Sequence, residues 1–206
     1  MKKRLEDISK IHAQKISLRK NSHVFFFMNR SLPLEFFFEK AEAGADIFAL
    51  FLASGSESFS TKIHQIHRAP DTVSRLSVLS ILGGSASFSY EGRIRIDKGA
   101  IRSNASQENR NVLLSNSARA QSNPTLEILE DDVVARHASA TGGQNEEARF
   151  FLASRGLADS LAKRALAEGR IREFFGNIRS IAESESLDEL ETESMRLLET
   201  IFSENQ

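Results

Sequence analysis

The chain has 206 residues, a formal net charge of -1 at pH 7 and no cysteine. This near-neutral charge gives no general attraction to nucleic acid or to an anionic membrane, so neither is expected as a partner. Without cysteine, the chain can form no disulfide bond and offers none of the thiolates that hold iron–sulfur clusters and most structural zinc ions. Its length suits one large domain, or one domain with a small appendage.

The first 22 residues are rich in lysine and arginine, and we predict a basic N-terminal helix or arm there. Leu5, Ile8 and Ile11 have the spacing of one helical face. Glu6 and Asp7, together with the lack of a continuous apolar run, argue against a targeting peptide. No segment approaches the ~20 apolar residues that span a bilayer, so the expected location is the cytoplasm.

Phenylalanine is concentrated between residues 23 and 60, with two runs of three at 25–27 and 36–38. Aromatic residues favour β-strands, and they fill protein cores more often than they form exposed binding platforms. We therefore predict core-facing strands in this region. Because successive side chains of a strand point to opposite faces, some rings in each run need cover from a neighbouring element or from a partner.

His64 and His67 are a candidate metal pair, but no further cluster of ligands accompanies them. In a strand they would lie on opposite faces, so we interpret them as solvated or hydrogen-bonded histidines. Around Gly92 the sequence alternates between apolar and polar residues, which predicts a strand with one face in the core. A glycine inside such a strand indicates a bulge or a close approach of the backbone to another group.

Three short apolar segments follow, at residues 112–114, at Leu126 with Ile128, and at residues 133–134. Each is too short for a helix and is bounded by Asn, Ser, Pro or Asp, as short strands are. The first two are about 15 residues apart, and no hairpin dipeptide such as Asn-Gly separates the segments, which indicates coils stacked in one direction as a solenoid. The spacing alone leaves a β-sandwich open.

After Gly142 and Gly143 the apolar period changes from that of a strand to that of a helix. Asn145 is a candidate N-cap for a first helix, a second can begin near Asp159, and Ser186 begins a capping box for a third. These features divide the chain into an N-terminal basic helix or arm at 1–22, a β-helix core at 23–143 and a C-terminal helical subdomain at 144–206.

Four motifs in this order resemble the SufB/SufD family of the SUF iron–sulfur cluster assembly system, and SufD more than SufB. They are Arg-Asn-Val-Leu-Leu-Ser at 110–115, Asn-Pro-Thr-Leu-Glu-Ile at 123–128, Asp-Asp-Val leading to His137, and Phe-Phe-Leu-Ala-Ser-Arg-Gly-Leu at 150–157. The resemblance implies a mainly β fold, a right-handed parallel β-helix followed by a small helical subdomain. It also implies a non-enzymatic scaffold subunit that pairs with SufB and binds the ATPase SufC.

The resemblance assigns roles to particular residues. His137 corresponds to a SufD histidine at the SufB interface, which makes it the candidate ligand, both for metal and for a transient iron–sulfur cluster shared with the partner. No cluster is expected on this chain alone, because it has no thiolate. The implied SufC contact lies on the helical subdomain, at Phe150, Phe151, Arg155, Gly156, Phe174 and Phe175. A homodimer of the isolated chain stays open.

The chain departs from the family in two respects. Ala135 stands where the family motif Cys-Ser-His-Gly-Ala-Thr has its cysteine, and one extra residue follows His137. The chain is also shorter at its N-terminus than most members. His137 could instead close the last turn by hydrogen bonding, and the whole chain could be a solenoid interaction module without cluster chemistry.

The enzyme alternative is a β-helix carbohydrate enzyme, suggested by Asp131 and Asp132. Adjacent strand residues point to opposite faces, so this pair cannot flank one glycosidic bond. We therefore expect no enzyme activity.

Overall fold

The computed structural model describes residues 3–19 and 22–203. The strands and helices in chain order are β1 (Lys3–Asp7), β2 (Lys15–Leu18), β3 (His23–Met28), β4 (Leu34–Phe38), β5 (Gly44–Ala53), β6 (Ser58–His67), β7 (Val73–Leu82), β8 (Ser87–Ile96), β9 (Asn104–Leu113), β10 (Arg119–Ile128), β11 (Val134–Gly143), α1 (Glu146–Ala153), α2 (Asp159–Ile181), β12 (Ala182–Glu183) and α3 (Leu187–Ser203). No helix in this part of the chain is long and apolar enough to cross a membrane.

The strands form two parallel sheets, and the chain alternates between them. One sheet has the order β11-β9-β7-β5-β3-β1-β12 and the other has the order β10-β8-β6-β4-β2. Gly44 pairs with Val73, Val73 with Asn104 and Asn104 with Val134, so two strands make one turn of about 30 residues. The predicted parallel β-helix is therefore confirmed, and the spacing of about 15 residues is the step from one sheet to the other.

The interior of the solenoid is filled by alternate aromatic rings, as predicted. Phe25, Phe27, Phe36 and Phe38 point inwards and are almost completely buried. Phe37 faces outwards from the five-stranded sheet, where the Lys15 ammonium and the Arg68 guanidinium lie 5.9 and 4.6 Å from its ring centre. The long side chains cover the ring with their aliphatic stems while their charges stay near water.

The helices cover the outer face of the seven-stranded sheet. Phe26 packs against Phe175 with ring centres 5.7 Å apart, and Phe48 packs against Phe174 at 5.6 Å. Phe174 and Phe175 are 5% and 0% exposed. The prediction that these two rings bind a partner is therefore wrong, because they complete the core of their own chain.

The described part of the N-terminal segment forms β1 and β2, which belong to the two sheets of the solenoid, so the helix given as one alternative for residues 1–22 is wrong. Leu5 pairs with Val24 of β3 and is buried in the cluster that holds Phe175. A helix this short is only marginally stable in water, whereas β3 offers a complete edge of backbone hydrogen-bonding groups. Lys3 adds a salt bridge of 2.9 Å to Asp46 of β5.

The two histidines of β6 lie on opposite faces of the strand. His67 is buried, with Nδ1 2.6 Å from Thr72 Oγ1 and Nε2 2.8 Å from Ser74 Oγ, and its ring stacks on Phe38. His64 is on the outer face, between carboxylates. Within residues 3–19 and 22–203, no group of three or more potential ligands is placed to hold a metal ion. The structural interpretation of both histidines agrees with this arrangement.

Burial of His67 makes the stability of the fold dependent on pH. Burial lowers the pKa of His67 to about 4, from an ordinary value near 6.5. The unfolded chain then binds more protons than the folded chain between these two pH values, so stability decreases as the pH falls through this window. Denaturant unfolding at pH 7 and pH 4 should show a loss of about 3 kcal/mol from this group. His67→Asn should lose less over the same range, and an unchanged pH profile in that variant would contradict the assignment.

Candidate functional site

The last turn of the solenoid has one free side, which we call the open end. It consists of β10, β11 and the turn between them. In the described part of the chain, β10 pairs only with β8, and β11 pairs only with β9. Each strand therefore leaves one edge of backbone N–H and C=O groups unpaired by another strand. Such edges bind further strands readily.

Apolar interior positions also reach the surface at the open end. Leu126 and Ile128 lie in register over the buried Ile94 and Ile96, but they are 37% and 39% exposed. Leu129, in the turn that follows, is 51% exposed. A terminal turn that stays in water normally has a polar outer face, whereas this end exposes apolar side chains.

His137 lies on β11, at the open end. It is in register with Gln107 of β9, which points into the solenoid, so the two side chains share the interior-facing side of the sheet. The His137 side chain is exposed, and no residue in 3–19 or 22–203 forms a hydrogen bond or an ion pair with its ring. A role in closing the last turn by hydrogen bonding is therefore not supported. A neutral imidazole in this position is free to bind a metal or a partner group.

A hydrogen-bonded polar layer lies inside the solenoid, further along β9 and β11 than the pair formed by Gln107 and His137. Asn111 Nδ2 donates to Thr141 Oγ1 at 2.8 Å and to Ser122 Oγ at 3.2 Å, which ties β9 to both strands of the open end. Ser80 Oγ donates to Asn111 Oδ1 at 2.7 Å. Sequence analysis did not identify this layer. The signal was the alternation Gln107, Asn109, Asn111, which puts three amides on one face of a strand.

Asp131 and Asp132 lie in the exposed turn between β10 and β11. The backbone carbonyl of Asp132 accepts a hydrogen bond from the backbone N–H of Arg102 at 2.6 Å, which ties the turn to the one below. The two carboxylates are on a solvent-exposed corner and not in a cleft. This geometry gives no support to the carbohydrate-enzyme alternative.

Helix α1 follows the open end directly and forms a second exposed surface. Asn145 caps it as predicted, because its side chain accepts a hydrogen bond from Ala148 N at 3.1 Å. None of the residues of α1 is buried, and Phe150 and Phe151 are 76% and 53% exposed. The Arg155 guanidinium lies 3.6 Å from the centre of the Phe151 ring, and Gly156 follows with a φ of +87°. We call Phe150, Phe151, Arg155 and Gly156 the α1 surface.

Helix α1 and the residue before its N-cap are tied to α2 by polar contacts. Gln144 Nε2 donates to the carbonyl of Lys163 at 2.5 Å, and Arg149 forms a salt bridge with Asp159. Four of the six predicted partner-binding residues therefore lie together on one accessible helix end, next to the strand that carries His137. Phe174 and Phe175 are the two that do not.

Comparison with known proteins identifies similar sequences. The family model for the SUF system FeS cluster assembly SufBD core domain matches residues 31–170. An iron–sulfur cluster assembly SufBD family protein of Mycobacterium leprae is 34% identical over 144 residues, which are 66% of this chain and 36% of the relative. A SufBD family protein of Mycobacterium tuberculosis is 32% identical over 146 residues, 67% of this chain and 36% of the relative.

The iron–sulfur cluster assembly protein SufD of Bacillus subtilis is 36% identical over 114 residues, 55% of this chain and 26% of the relative. The chain spans about a third of the length of the mycobacterial relatives and about a quarter of that of the Bacillus protein. The family model covers both the open end and the α1 surface.

Replacing the two histidines separately tests their different environments. His137→Ala should change the free energy of unfolding by less than ~1 kcal/mol, because the ring is exposed and makes no hydrogen bond or ion pair with the described residues. His67→Ala removes two buried hydrogen bonds and leaves a cavity, so it should cost ~2–4 kcal/mol. Denaturant unfolding of both variants provides the comparison. A loss in His137→Ala as large as that in His67→Ala would show that the His137 ring is structural after all.

Proposed function

The chain belongs to the SufBD core domain family of the SUF iron–sulfur cluster assembly system, and from this premise we propose that it is a SufD-like scaffold subunit. The observation that carries the proposal is the exposed His137 on the interior-facing side of the last strand. In this role the chain presents an imidazole at the open end, where a SufB-like partner supplies the groups that the chain lacks.

The open end supports pairing with a SufB-like partner. Two strand edges and the exposed Leu126, Ile128 and Leu129 offer both backbone hydrogen bonds and apolar area. A partner that adds strands to these edges would extend both sheets and bury the apolar side chains. Without that partner, we expect a second copy of the chain to cover the same end, which gives a homodimer in isolation.

Cluster chemistry in this proposal is shared between the two subunits. The iron–sulfur cluster is cargo that is built and passed on, and thiolates are its usual ligands. The chain has none, and Ala135 stands near His137 where the family motif has its cysteine. His137 supplies one nitrogen ligand while the partner supplies the thiolates. A site with a single ligand suits a scaffold and not an enzyme. A partner that carries thiolates needs a reducing compartment, such as the cytoplasm.

The α1 surface supports the contact with a SufC-like ATPase. Exposed aromatic side chains next to an arginine are typical of residues that dominate binding at protein interfaces. Phe150 and Phe151 project from a helix that buries none of its residues, so their apolar area is available to a groove on a partner. Helix α2, by contrast, is part of the folded core.

A solenoid interaction module without cluster chemistry is the second candidate, favoured by Ala135 in place of the motif cysteine. It uses the same two surfaces but assigns no function to His137. The two candidates therefore differ only in what happens when this ring is replaced.

His137→Asn separates the two candidates in the assembled complex with the SufB-like and SufC-like partners. Asparagine keeps a hydrogen-bonding side chain but is a poor iron ligand. If His137 is a ligand, the complex should assemble normally while the yield of cluster in anaerobic reconstitution falls at least about tenfold, the result of losing ~1.4 kcal/mol of binding. Iron and sulfide analysis and the visible absorption of the cluster measure the yield.

His12→Asn is the matched control, since His12 is also exposed and lies far along the chain from the open end. It should leave the cluster yield unchanged. A full yield from a well-folded His137→Asn complex would end the ligand hypothesis and favour the interaction module.

Replacing Phe150 and Phe151 together by serine tests the ATPase contact. Both rings are exposed, so folding should be unaffected, while removal of two apolar anchors should weaken binding of the SufC-like ATPase by about 10- to 100-fold. Calorimetric titration measures the affinity. Leu32→Ser, at an exposed leucine near the start of the chain, is the control. Affinity within about twofold of wild type in the double variant would place the ATPase contact elsewhere.

A further inference from the structure

One column of interior side chains changes from apolar to polar towards the open end. The in-register strands β5, β7, β9 and β11 place Ile47, Leu76, Gln107 and His137 one above another. Ile47 and Leu76 are apolar and buried, whereas Gln107 is an amide that is only 3% exposed. A leucine at this level would continue the apolar column. The column instead becomes polar one turn before His137.

Only one of the two polar atoms of the Gln107 amide forms a hydrogen bond within the protein. Its Oε1 accepts a hydrogen bond from Tyr90 Oη at 3.0 Å. Its Nε2 is buried and has no hydrogen-bond partner among the described residues. A buried, unpaired polar atom destabilises a fold by ~1–3 kcal/mol, so a hydrogen-bond acceptor that comes within reach of this nitrogen would stabilise the protein.

Two further residues hold the amide in place. Tyr90 is 1% exposed, and burial raises the pKa of its hydroxyl, so the group stays protonated. Gly92 lies opposite, and a Cβ atom there would overlap both Tyr90 Oη and Gln107 Oε1. The close approach predicted from the glycine is therefore confirmed. The strand continues in register through Gly92, so no bulge forms there.

We propose that Gln107 is a positioning residue for His137. Adjacent strands are ~4.8 Å apart, so rotation of the exposed His137 side chain brings one ring nitrogen within hydrogen-bonding reach of the Gln107 amide. The other ring nitrogen is then directed away from the interior, towards the open end. This inference rests on the proposed function, because it assigns His137 a preferred orientation at the shared site.

An amide suits this position because it both donates and accepts. Its N–H can donate to the lone pair of a neutral imidazole. After a half-turn of the amide, its oxygen can accept the N–H of a ring whose outer nitrogen holds iron, the usual arrangement around a metal-bound histidine. The Tyr90 hydroxyl can donate or accept, so it keeps its contact with the amide in both orientations.

The test is nitrogen NMR of the histidine rings in the full, isolated chain at a pH where the imidazoles are neutral. The shifts of the two ring nitrogens report which one carries the proton, and the His137 signals are those missing from His137→Asn. In wild type, His137 should favour one tautomer. In Gln107→Leu the tautomer ratio should shift by about three- to tenfold towards the mixture of an unrestrained histidine. Leucine continues the apolar column, so thermal stability should be equal or higher.

Gln65→Leu is the matched control. Gln65 is also buried, with one amide atom unpaired, but it lies in the other sheet, in register with Phe36 and Ile94. It should leave the His137 tautomer unchanged. The inference would be overturned if the His137 tautomer ratio in Gln107→Leu equalled that of wild type, or if Gln107→Leu and Gln65→Leu shifted this ratio equally.

The measurement needs neither partner nor iron, so its failure is distinct from a failure of the proposed function. The latter would appear as full cluster yield from the His137→Asn complex, whatever the tautomer of the free ring.

Discussion

The structure depends on the stacking of turns of about 30 residues in parallel register. Each interior side chain then lies ~4.8 Å from its equivalents in the turns before and after it, so neighbouring turns must agree in size and polarity. His67 illustrates this constraint. Its ring stacks on Phe38 of the preceding turn, and its two ring nitrogens are hydrogen-bonded to Thr72 and Ser74. Gly92 is a second case, since only a glycine leaves room for Tyr90 and Gln107.

The seven-stranded sheet is packed against helices near its start, whereas its last strand is exposed. At its start, β1 pairs with β12, and α2 and α3 bury Phe26 and Phe48 on its outer face. At the other end, β11 has one unpaired edge within the described residues. Aromatic residues near the start complete the core, whereas the exposed groups lie on β10, β11 and α1. This difference between the two ends of the solenoid decides which residues are accessible to another protein.

The proposed function uses this incompleteness. The open end offers backbone edges, apolar area and one imidazole, but no thiolate, so in the proposed function a partner completes the site. The polar layer formed by Asn111, Ser122 and Thr141 lies behind this surface and links β9 to the last turn. Buried hydrogen-bonded side chains of this kind contribute little net stability. Their main effect is to hold the neighbouring strands and side chains in one orientation.

The sequence by itself indicated stacked strands, and the family motifs specified the parallel β-helix. Short apolar segments separated by polar corners indicate strands, because strand period and turn chemistry are local properties, but their spacing also allows a β-sandwich. The same reasoning located the start of α1 at Asn145 and the core-facing phenylalanines. His137 and the α1 surface were found through family motifs, since no local pattern marks an exposed histidine as a ligand.

Only the tertiary structure decided which of the predicted helix and partner-binding residues are exposed and which are buried. Leu5, Ile8 and Ile11 have helical spacing, but β1 forms because the edge of β3 and the Phe175 cluster offer more hydrogen bonds and burial than a short helix. Phe150 and Phe174 look alike in a helical pattern, and only packing shows that one is exposed and the other lies against Phe48. Gln107 and His137 are in register although 30 residues separate them in the chain, and local sequence rules cannot predict such a pair because register joins residues that are distant in sequence.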